Sequence, residues 1–172
     1  LAVLERIDTE ELASKEETAK HALLLSMAFD KNVIDKTDFE VLQPAIDYYK
    51  DNGSATDRLR TCYYQGRIYE NQGNVAQAMT CFCEGIEQGA DSEDLLTKAN
   101  LYFSQGRIQD LLFEWDKEID VLLKAAELYK AVGRQNSYYN CLAKVLNAYT
   151  QKKDYAQVEK YIAILKTDLH MV

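Results

Sequence analysis

Acidic residues and two histidines are the side chains of this sequence that could carry acid–base chemistry. Among the 28 acidic residues are two clusters, Glu10, Glu11, Glu16 and Glu17 in the first and Asp91, Glu93 and Asp94 in the second. Both groups lie near predicted helix starts, where carboxylates interact favourably with the helix dipole and with solvent. We therefore interpret them as helix-start residues rather than as paired catalytic carboxylates.

The histidines do not suggest a catalytic centre either. His21 and His170 stand near opposite ends of the sequence. In the elongated array that the repeats below predict, they cannot converge, and we interpret His21 as a helix-face residue. The sequence has no glycine-rich phosphate loop and no nucleophile motif. It therefore predicts a protein that is not an enzyme and has no catalytic residues.

The four cysteines are candidates for metal binding or for disulfide formation. On a helix, Cys81 and Cys83 point about 200° apart and cannot hold one ion together. We expect Cys62, Cys81, Cys83 and Cys141 to be buried or half-buried thiols, with a Cys62–Cys81 disulfide as the alternative. The sequence thus predicts no metal site and no cofactor.

Composition and charge narrow the classes of partner. The chain has 172 residues, is 47% hydrophobic and contains one proline and seven glycines, which makes it too apolar for disorder and too poor in turn residues for a β-sandwich. Its formal net charge is −8, and because phosphate binding requires a basic surface, we expect neither nucleic acid nor an anionic membrane as partner. No segment approaches the roughly 18 apolar residues of a membrane span, so we expect no membrane insertion by this chain.

A repeat is the strongest organising signal. Residues 65–68, Gln-Gly-Arg-Ile, reappear unchanged at 105–108, and a degraded third copy follows at the same interval of forty residues (105 − 65 = 40). A chain that repeats at this interval buries the apolar face of each unit by stacking it on the next. Such proteins work through an extended surface.

Helical periodicity runs along the whole chain, without sustained strand alternation. Capping boxes at Ser14–Glu17 and Thr37–Glu40 predict two helix starts, and Asn52-Gly53, Gly73 and Gly133 mark turns. We predict eight helices, at about 15–32, 38–52, 55–72, 75–88, 92–113, 116–132, 136–152 and 155–169.

One unit carries a family motif. With Gly66 as position eight, it reads Cys62-x₂-Gln65-Gly66-x₂-Tyr69 and then Ala78-x₃-Phe82. This spacing resembles the tetratricopeptide repeat, with each repeat lengthened from thirty-four to about forty residues. We expect the small residues Gly66 and Ala78 where the two helices of a hairpin cross. The next unit keeps Gly106 but carries Gln109 at the tyrosine position and Glu118 at the small-residue position; a first unit beginning near Ala19 places Ser26 and Phe29 at the glycine and tyrosine positions.

The resemblance implies an all-α fold, a right-handed α-solenoid of antiparallel helix pairs. Residues 1–172 would form a single array with repeats at about 15–53, 54–90, 91–133 and 134–172, and residues 1–8 would be the remnant of a preceding helix. The stretch from Glu10 to Asn32, together with Ala45 to Gly53, resembles a family of exported bacterial tetratricopeptide proteins in which the array precedes a membrane anchor and an output region. That likeness implies the periplasm or cell envelope; without it, we expect the cytoplasm.

In tetratricopeptide arrays, positions two, five, six and nine of each first helix face a concave groove. None of the twelve residues at these positions is acidic, in a chain with 28 carboxylates. Amides can pair with a peptide backbone, aromatic rings can pack on side chains and arginines can fork onto a carboxylate, so we expect an acidic or C-terminal peptide. The candidate residues are Arg60, Tyr63, Tyr64, Arg67, Asn100, Phe103, Arg107, Asn140, Lys144 and Asn147. The alternative is that Arg67 and Arg107 neutralise carboxylates of neighbouring helices while Tyr63 and Phe103 serve packing.

The sequence therefore predicts a non-catalytic scaffold that binds a protein or peptide in a concave groove. One alternative is the ligand- or partner-sensing part of a bacterial membrane-anchored regulator. A second is an assembly module that associates with itself through apolar ends, namely Leu1, Val3 and Leu4 at one end and Leu169, Met171 and Val172 at the other.

Overall fold

The computed structural model describes residues 1–170, with side chains up to residue 167. These residues form eight α-helices and no β-strand, which confirms the all-α class. The helices are α1 Lys15–Lys31, α2 Gln43–Asn52, α3 Ala55–Asn71, α4 Val75–Gln88, α5 Leu95–Leu111, α6 Trp115–Ala131, α7 Gln135–Gln151 and α8 Tyr155–His170. No helix within the described residues is long and apolar enough to span a bilayer.

The N-terminal segment is not α-helical. Residues Leu4–Arg6 and Thr9–Glu11 each form a single turn of 3₁₀ helix before α1 begins. The His21 Nε2 atom donates a hydrogen bond to the Leu4 carbonyl oxygen at 2.8 Å, which ties this segment to α1. The Ser14 hydroxyl caps α1, as predicted, by accepting a hydrogen bond from the Glu17 amide at 3.2 Å.

The predicted start of α2 at residue 38 is wrong. The helix begins at Gln43, so that Pro44 lies in its first turn. Proline has no N–H to donate, and its ring clashes with the preceding turn of a helix, whereas in the first turn the N–H has no partner to lose. The irregular segment 32–42 is instead held to α3, because the Asn71 and Gln72 amides donate to the carbonyl oxygens of Lys36 and Thr37 at 2.9 and 2.8 Å.

The chain divides into two compact units. Unit 1 is Leu1–Glu93, with α1 to α4, and unit 2 is Asp94–Val172, with α5 to α8. In unit 1, α1 packs on α2 and α3 packs on α4, with contacts also from α3 to α1 and α2. In unit 2, each helix packs on the next along the chain. Three-residue turns join α3 to α4, α5 to α6, α6 to α7 and α7 to α8, so these consecutive helices form helical hairpins.

The hairpin turns repeat as a backbone feature. A positive φ occurs at Val33 (57°), Gly73 (75°), Phe113 (57°) and Lys153 (59°), at intervals of forty residues, and also at Gly133 (71°) in the turn between α6 and α7. After each of the first four, the next amide donates to the carbonyl oxygen five residues earlier, in the pairs Ile34–Phe29, Asn74–Tyr69, Glu114–Gln109 and Asp154–Tyr149, at 2.8 to 3.0 Å, and after Gly133 the Arg134 amide donates to Tyr129 in the same way at 2.8 Å. This is the Schellman ending of a helix. The forty-residue period therefore governs the chain path as well as the residue types.

The hairpins also repeat at their crossing points. A Cβ atom on Gly66 would lie 2.2 Å from Cε1 of Phe82, and one on Gly106 would lie 2.7 Å from Cδ2 of Leu122. In both hairpins the second residue follows the first by sixteen positions, and both are fully buried. The prediction that Gly66 lies where two helices cross is confirmed, and Ala78, predicted at the same crossing, is fully buried. Gly106 lies at the corresponding crossing of α5 and α6.

Candidate binding face

Arg67, on α3, is surrounded by carboxylates of its own unit. Its Nη1 atom lies 2.8 Å from Glu70 Oε2, its Nε atom 3.6 Å from Asp30 Oδ1 and its Nη2 atom 3.9 Å from Asp35 Oδ1. Burial lowers the pKa of the guanidinium, but Tyr63, Glu70 and Asp30 outweigh burial and raise it above its ordinary value. The side chain is 19% exposed. Arg67 thus already neutralises acids from α1, from the segment after α1 and from α3.

The other α3 candidates differ in accessibility. Tyr63 is buried, and its ring centroid lies 4.9 Å from that of Tyr64 and 6.4 Å from that of Phe82. Tyr64 and Arg60 are half-buried. Tyr63 therefore belongs to the α3–α4 packing, whereas Tyr64 and Arg60 retain exposed atoms.

On α5, two candidates contact the paired helix α6. The Tyr129 hydroxyl donates to Asn100 Oδ1 at 2.7 Å, and the Phe103 ring lies edge-on to Tyr129 at 6.3 Å. Because Tyr129 is buried, its contacts hold the side chains of Asn100 and Phe103 against α6. Arg107, two turns after Asn100, is half-buried.

On α7, three candidates lie along one side of the helix. Asn140 and Asn147 are exposed, and Lys144 lies between them with its side chain 30% exposed. Residues four and seven positions apart share a helix face, and seven residues span about 10 Å. We call Asn140, Lys144 and Asn147 the α7 face. The Lys144 Nζ atom lies 3.7 Å from Asp110 Oδ2, at the end of α5.

Glu118 is a functional candidate that the sequence analysis noted only as a departure from the motif. It lies in the first turns of α6 and is 1% exposed, and neither of its carboxylate oxygens has a hydrogen-bond partner among the described residues. Burial, and secondarily Asp110, raises the pKa of Glu118 to about 7, while Lys144 lowers it. A glutamate at a position that holds Ala78 in the preceding repeat is the sequence signal that could have identified it.

The cysteines form no disulfide, and Cys83 is exposed while the other three are buried. Burial raises the pKa of the Cys62 thiol to about 11 and that of Cys81 and Cys141 to about 12. Within the described residues no group of three or more His, Cys, Asp or Glu side chains is placed to hold a metal ion.

The candidate residues thus fall into two groups, four on α3 in unit 1 and six on α5 and α7 in unit 2. The fold is all-α, and the first helix of each helix pair ends in the same turn, while α3–α4 and α5–α6 also share the same close crossing. No protein-family model matches the sequence, and no curated protein matches it.

Proposed function

We propose that this chain is a non-catalytic protein-binding module of the tetratricopeptide type, in which the first helices of stacked helix pairs present a concave groove. Support comes from the turn after the first helix of each pair, which recurs every forty residues, and from the close crossing, which recurs in α3–α4 and α5–α6. In a solenoid, repetition of this kind places the same positions of each first helix at regular intervals, which suits an extended ligand.

The α7 face is the observation that carries this proposal. Its two exposed amides lie two helical turns apart with an ammonium group between them. An asparagine amide offers both a donor and an acceptor to an extended backbone, and a lysine offers a charge to a carboxylate. These groups suit an acidic peptide or the C-terminal end of a chain. Arg107, on α5 of the same unit, extends the contact set, whereas Arg67 and Tyr63 support the fold.

A peptide-display screen tests the proposal. Peptides with a free C-terminal carboxylate and peptides rich in acidic residues are displayed, and the retained sequences are measured in solution. We expect the double variant Asn140→Ala/Asn147→Ala to bind them at least about tenfold more weakly, because two hydrogen-bonding amides are lost. The matched control is Glu127→Gln/Glu159→Gln, on exposed positions of α6 and α8. Equal affinity of the α7 variant and the wild type for every retained peptide contradicts the proposal.

Assembly is the second candidate, and an exposed apolar turn favours it. Leu111, Leu112 and Phe113 are 67%, 53% and 74% exposed at the turn between α5 and α6. Apolar side chains grouped in this way are typical of contact surfaces. Of the apolar ends that the sequence suggested for self-association, Val3 is exposed and Leu1 and Leu4 are half-buried, while the side chains of Leu169, Met171 and Val172 lie outside the described residues. Sedimentation of wild type and Leu111→Ser/Phe113→Ser over a range of concentrations tests association through the turn, and a wild-type monomer at every concentration excludes it.

A further inference from the structure

Glu118 occupies a place in its hairpin that suits a small apolar side chain. The residues forty positions before and after it are Ala78 and Val158, and Ala78 is fully buried. Its neighbours along α6, Ile119 and Leu122, belong to the hydrophobic core of unit 2. The carboxyl group of Glu118 therefore lies in an apolar environment, where its charged form is energetically costly.

The surroundings of Glu118 contain one acid and one base from the two helices that flank α6. The charge of Glu118 interacts with Asp110, at the end of α5, and with Lys144, in the middle of α7. These two groups also pair with each other, since Lys144 Nζ lies 3.7 Å from Asp110 Oδ2. Lys144 thus has two carboxyl groups within its electrostatic reach, and only one of them is accessible to solvent, because Asp110 is 40% exposed whereas Glu118 is buried.

The protonation state of Glu118 sets the net charge of the trio formed by Glu118, Asp110 and Lys144. With the carboxyl protonated, the trio holds one negative and one positive charge, and Lys144 pairs with Asp110 alone. Ionisation releases the proton to solvent and leaves two carboxylates around one ammonium. Because an unpaired buried carboxylate is strongly unfavourable, the ammonium is then drawn towards Glu118.

We propose that Glu118 is a proton-operated control element for Lys144, which leaves Lys144 on the α7 face when protonated and draws it inward towards α6 when ionised. The functional consequence rests on the proposed function, because Lys144 belongs to the face assigned there to peptide carboxylates. Burial and Asp110 place the pKa of Glu118 at about 7, so the change falls within the physiological range.

Carboxyl ¹³C NMR of the intact chain tests the control element without any ligand. We expect the Glu118 signal to titrate with a midpoint near pH 7, instead of near the ordinary value of 4.5. Lys144 lowers and Asp110 raises the pKa of Glu118, so Lys144→Met raises the midpoint and Asp110→Asn lowers it. The Lys144 side-chain signal follows the same midpoint in the wild type.

Variants of Glu118 supply the decisive comparison. In Glu118→Gln, which keeps the shape of the side chain, the Lys144 signal no longer changes near pH 7, and Glu118→Ala, which restores the residue of the preceding repeat, gives the same result. Glu127→Gln, on an exposed position of α6, leaves the Lys144 response unchanged. A Glu118 midpoint near 4.5, or a Lys144 signal that titrates identically in Glu118→Gln, overturns the inference.

The peptides retained in the display screen test the consequence separately. We expect the wild type to bind them more weakly at pH 8 than at pH 6, and Glu118→Gln to bind them equally at both. Equal wild-type affinity at pH 6 and pH 8 refutes the link to binding. A Glu118 titration with no peptide retained contradicts the proposed function and leaves the control element supported, so the two failures are distinguishable.

Discussion

The aromatic ring of Phe82 fills the space in which a Cβ atom of residue 66 would lie. A methyl group at Gly66 would approach the Phe82 Cε1, Cδ1 and Cζ atoms to 2.2, 2.6 and 2.9 Å. Phe82 is fully buried, so its ring has no solvent-exposed position into which it can move. The helices α3 and α4 can therefore pack this closely because Gly66 has a hydrogen atom in place of a side chain.

Gly66→Ala is therefore expected to destabilise unit 1. Alanine favours a helix over glycine by about 1 kcal/mol, but overpacking a core costs about 1–3 kcal/mol and the overlap here is with a ring that cannot move. We expect a net loss of up to about 2 kcal/mol in the free energy of unfolding measured in urea. Thr80→Ala, on the exposed side of α4, serves as the control. A gain in stability for Gly66→Ala means that the helices separate without penalty.

Glycine in place of Phe113, which adopts a left-handed backbone conformation, is expected to increase the stability of the protein. Phe113 adopts φ 57°, where the equivalent residue of the preceding hairpin is Gly73 at φ 75°. A side chain costs roughly 1 kcal/mol in this region, and Phe113 is mostly exposed. We expect Phe113→Gly to stabilise unit 2 by about 0.5–1 kcal/mol, and Gly73→Ala to destabilise unit 1 by about 1 kcal/mol, in thermal unfolding. A loss of stability in Phe113→Gly instead means that the edge-on contact between Phe113 and Trp115 stabilises the protein more than the left-handed backbone of Phe113 destabilises it.

Removal of the Arg67 charge is expected to destabilise unit 1. Arg67→Met removes the guanidinium that pairs with Asp30, Asp35 and Glu70, and the Glu70 side chain is only 9% exposed. Loss of an ion pair to a partly buried carboxylate costs about 1–3 kcal/mol, which urea unfolding measures. Arg134→Met, at an exposed position, is the control and should change stability by less than about 0.5 kcal/mol. Equal effects of the two substitutions contradict the assignment of Arg67 to the fold.

The free energy of unfolding of unit 2 is expected to depend on pH through Glu118. Its pKa is about 7 in the folded protein and 4.5 in a solvated glutamate, so the folded state binds the proton more tightly than the unfolded state. The stabilising contribution is complete below pH 4.5, declines as the pH rises towards 7 and is lost above it, a change of about 3 kcal/mol in all. Because Gln does not titrate, the difference between wild type and Glu118→Gln isolates this contribution. Parallel stability curves for the two proteins from pH 4 to pH 9 count against a raised pKa.

Thiol reactivity should distinguish Cys83 from the other cysteines. The thiolate is the reactive form, and a thiol with a pKa of about 11 has roughly one molecule in a thousand ionised at pH 8. We expect a thiol reagent at pH 8 to label one cysteine rapidly in the folded protein and all four after denaturation. Cys83→Ser abolishes the rapid reaction. Rapid labelling of a second thiol in that variant indicates that the core around Cys62, Cys81 or Cys141 opens readily.

Local sequence patterns predicted most of the helices because the responsible interactions are short in range. The Ser14 cap, the glycine turn at residue 73 and the apolar periodicity each act within a few residues, and the structure has helices at the expected places. The prediction that α2 starts at residue 38 followed the Thr37–Glu40 pattern. Pro44, an equally local signal, instead marks the first turn of the helix.

The candidate face was predicted less completely. The spacing of α7 was sufficient to place Asn140, Lys144 and Asn147 on one side of a helix. It could not show that Arg67 contacts acids more than thirty residues away, at Asp30 and Asp35, or that Tyr63 is buried beneath α4. These contacts depend on which helices pack together, and the spacing of residues along one helix does not contain that information.

The sequence by itself determined the all-α class, the forty-residue period and the small residues where helices cross, because periodicity and side-chain volume are properties of the residues themselves. Only the tertiary structure decided that Glu118 is buried and interacts electrostatically with Asp110 of α5 and Lys144 of α7, and that Phe113 takes the left-handed turn conformation of Gly73. Desolvation and charge pairing depend on distances between helices, and a shared turn imposes its backbone even on residues that do not favour it.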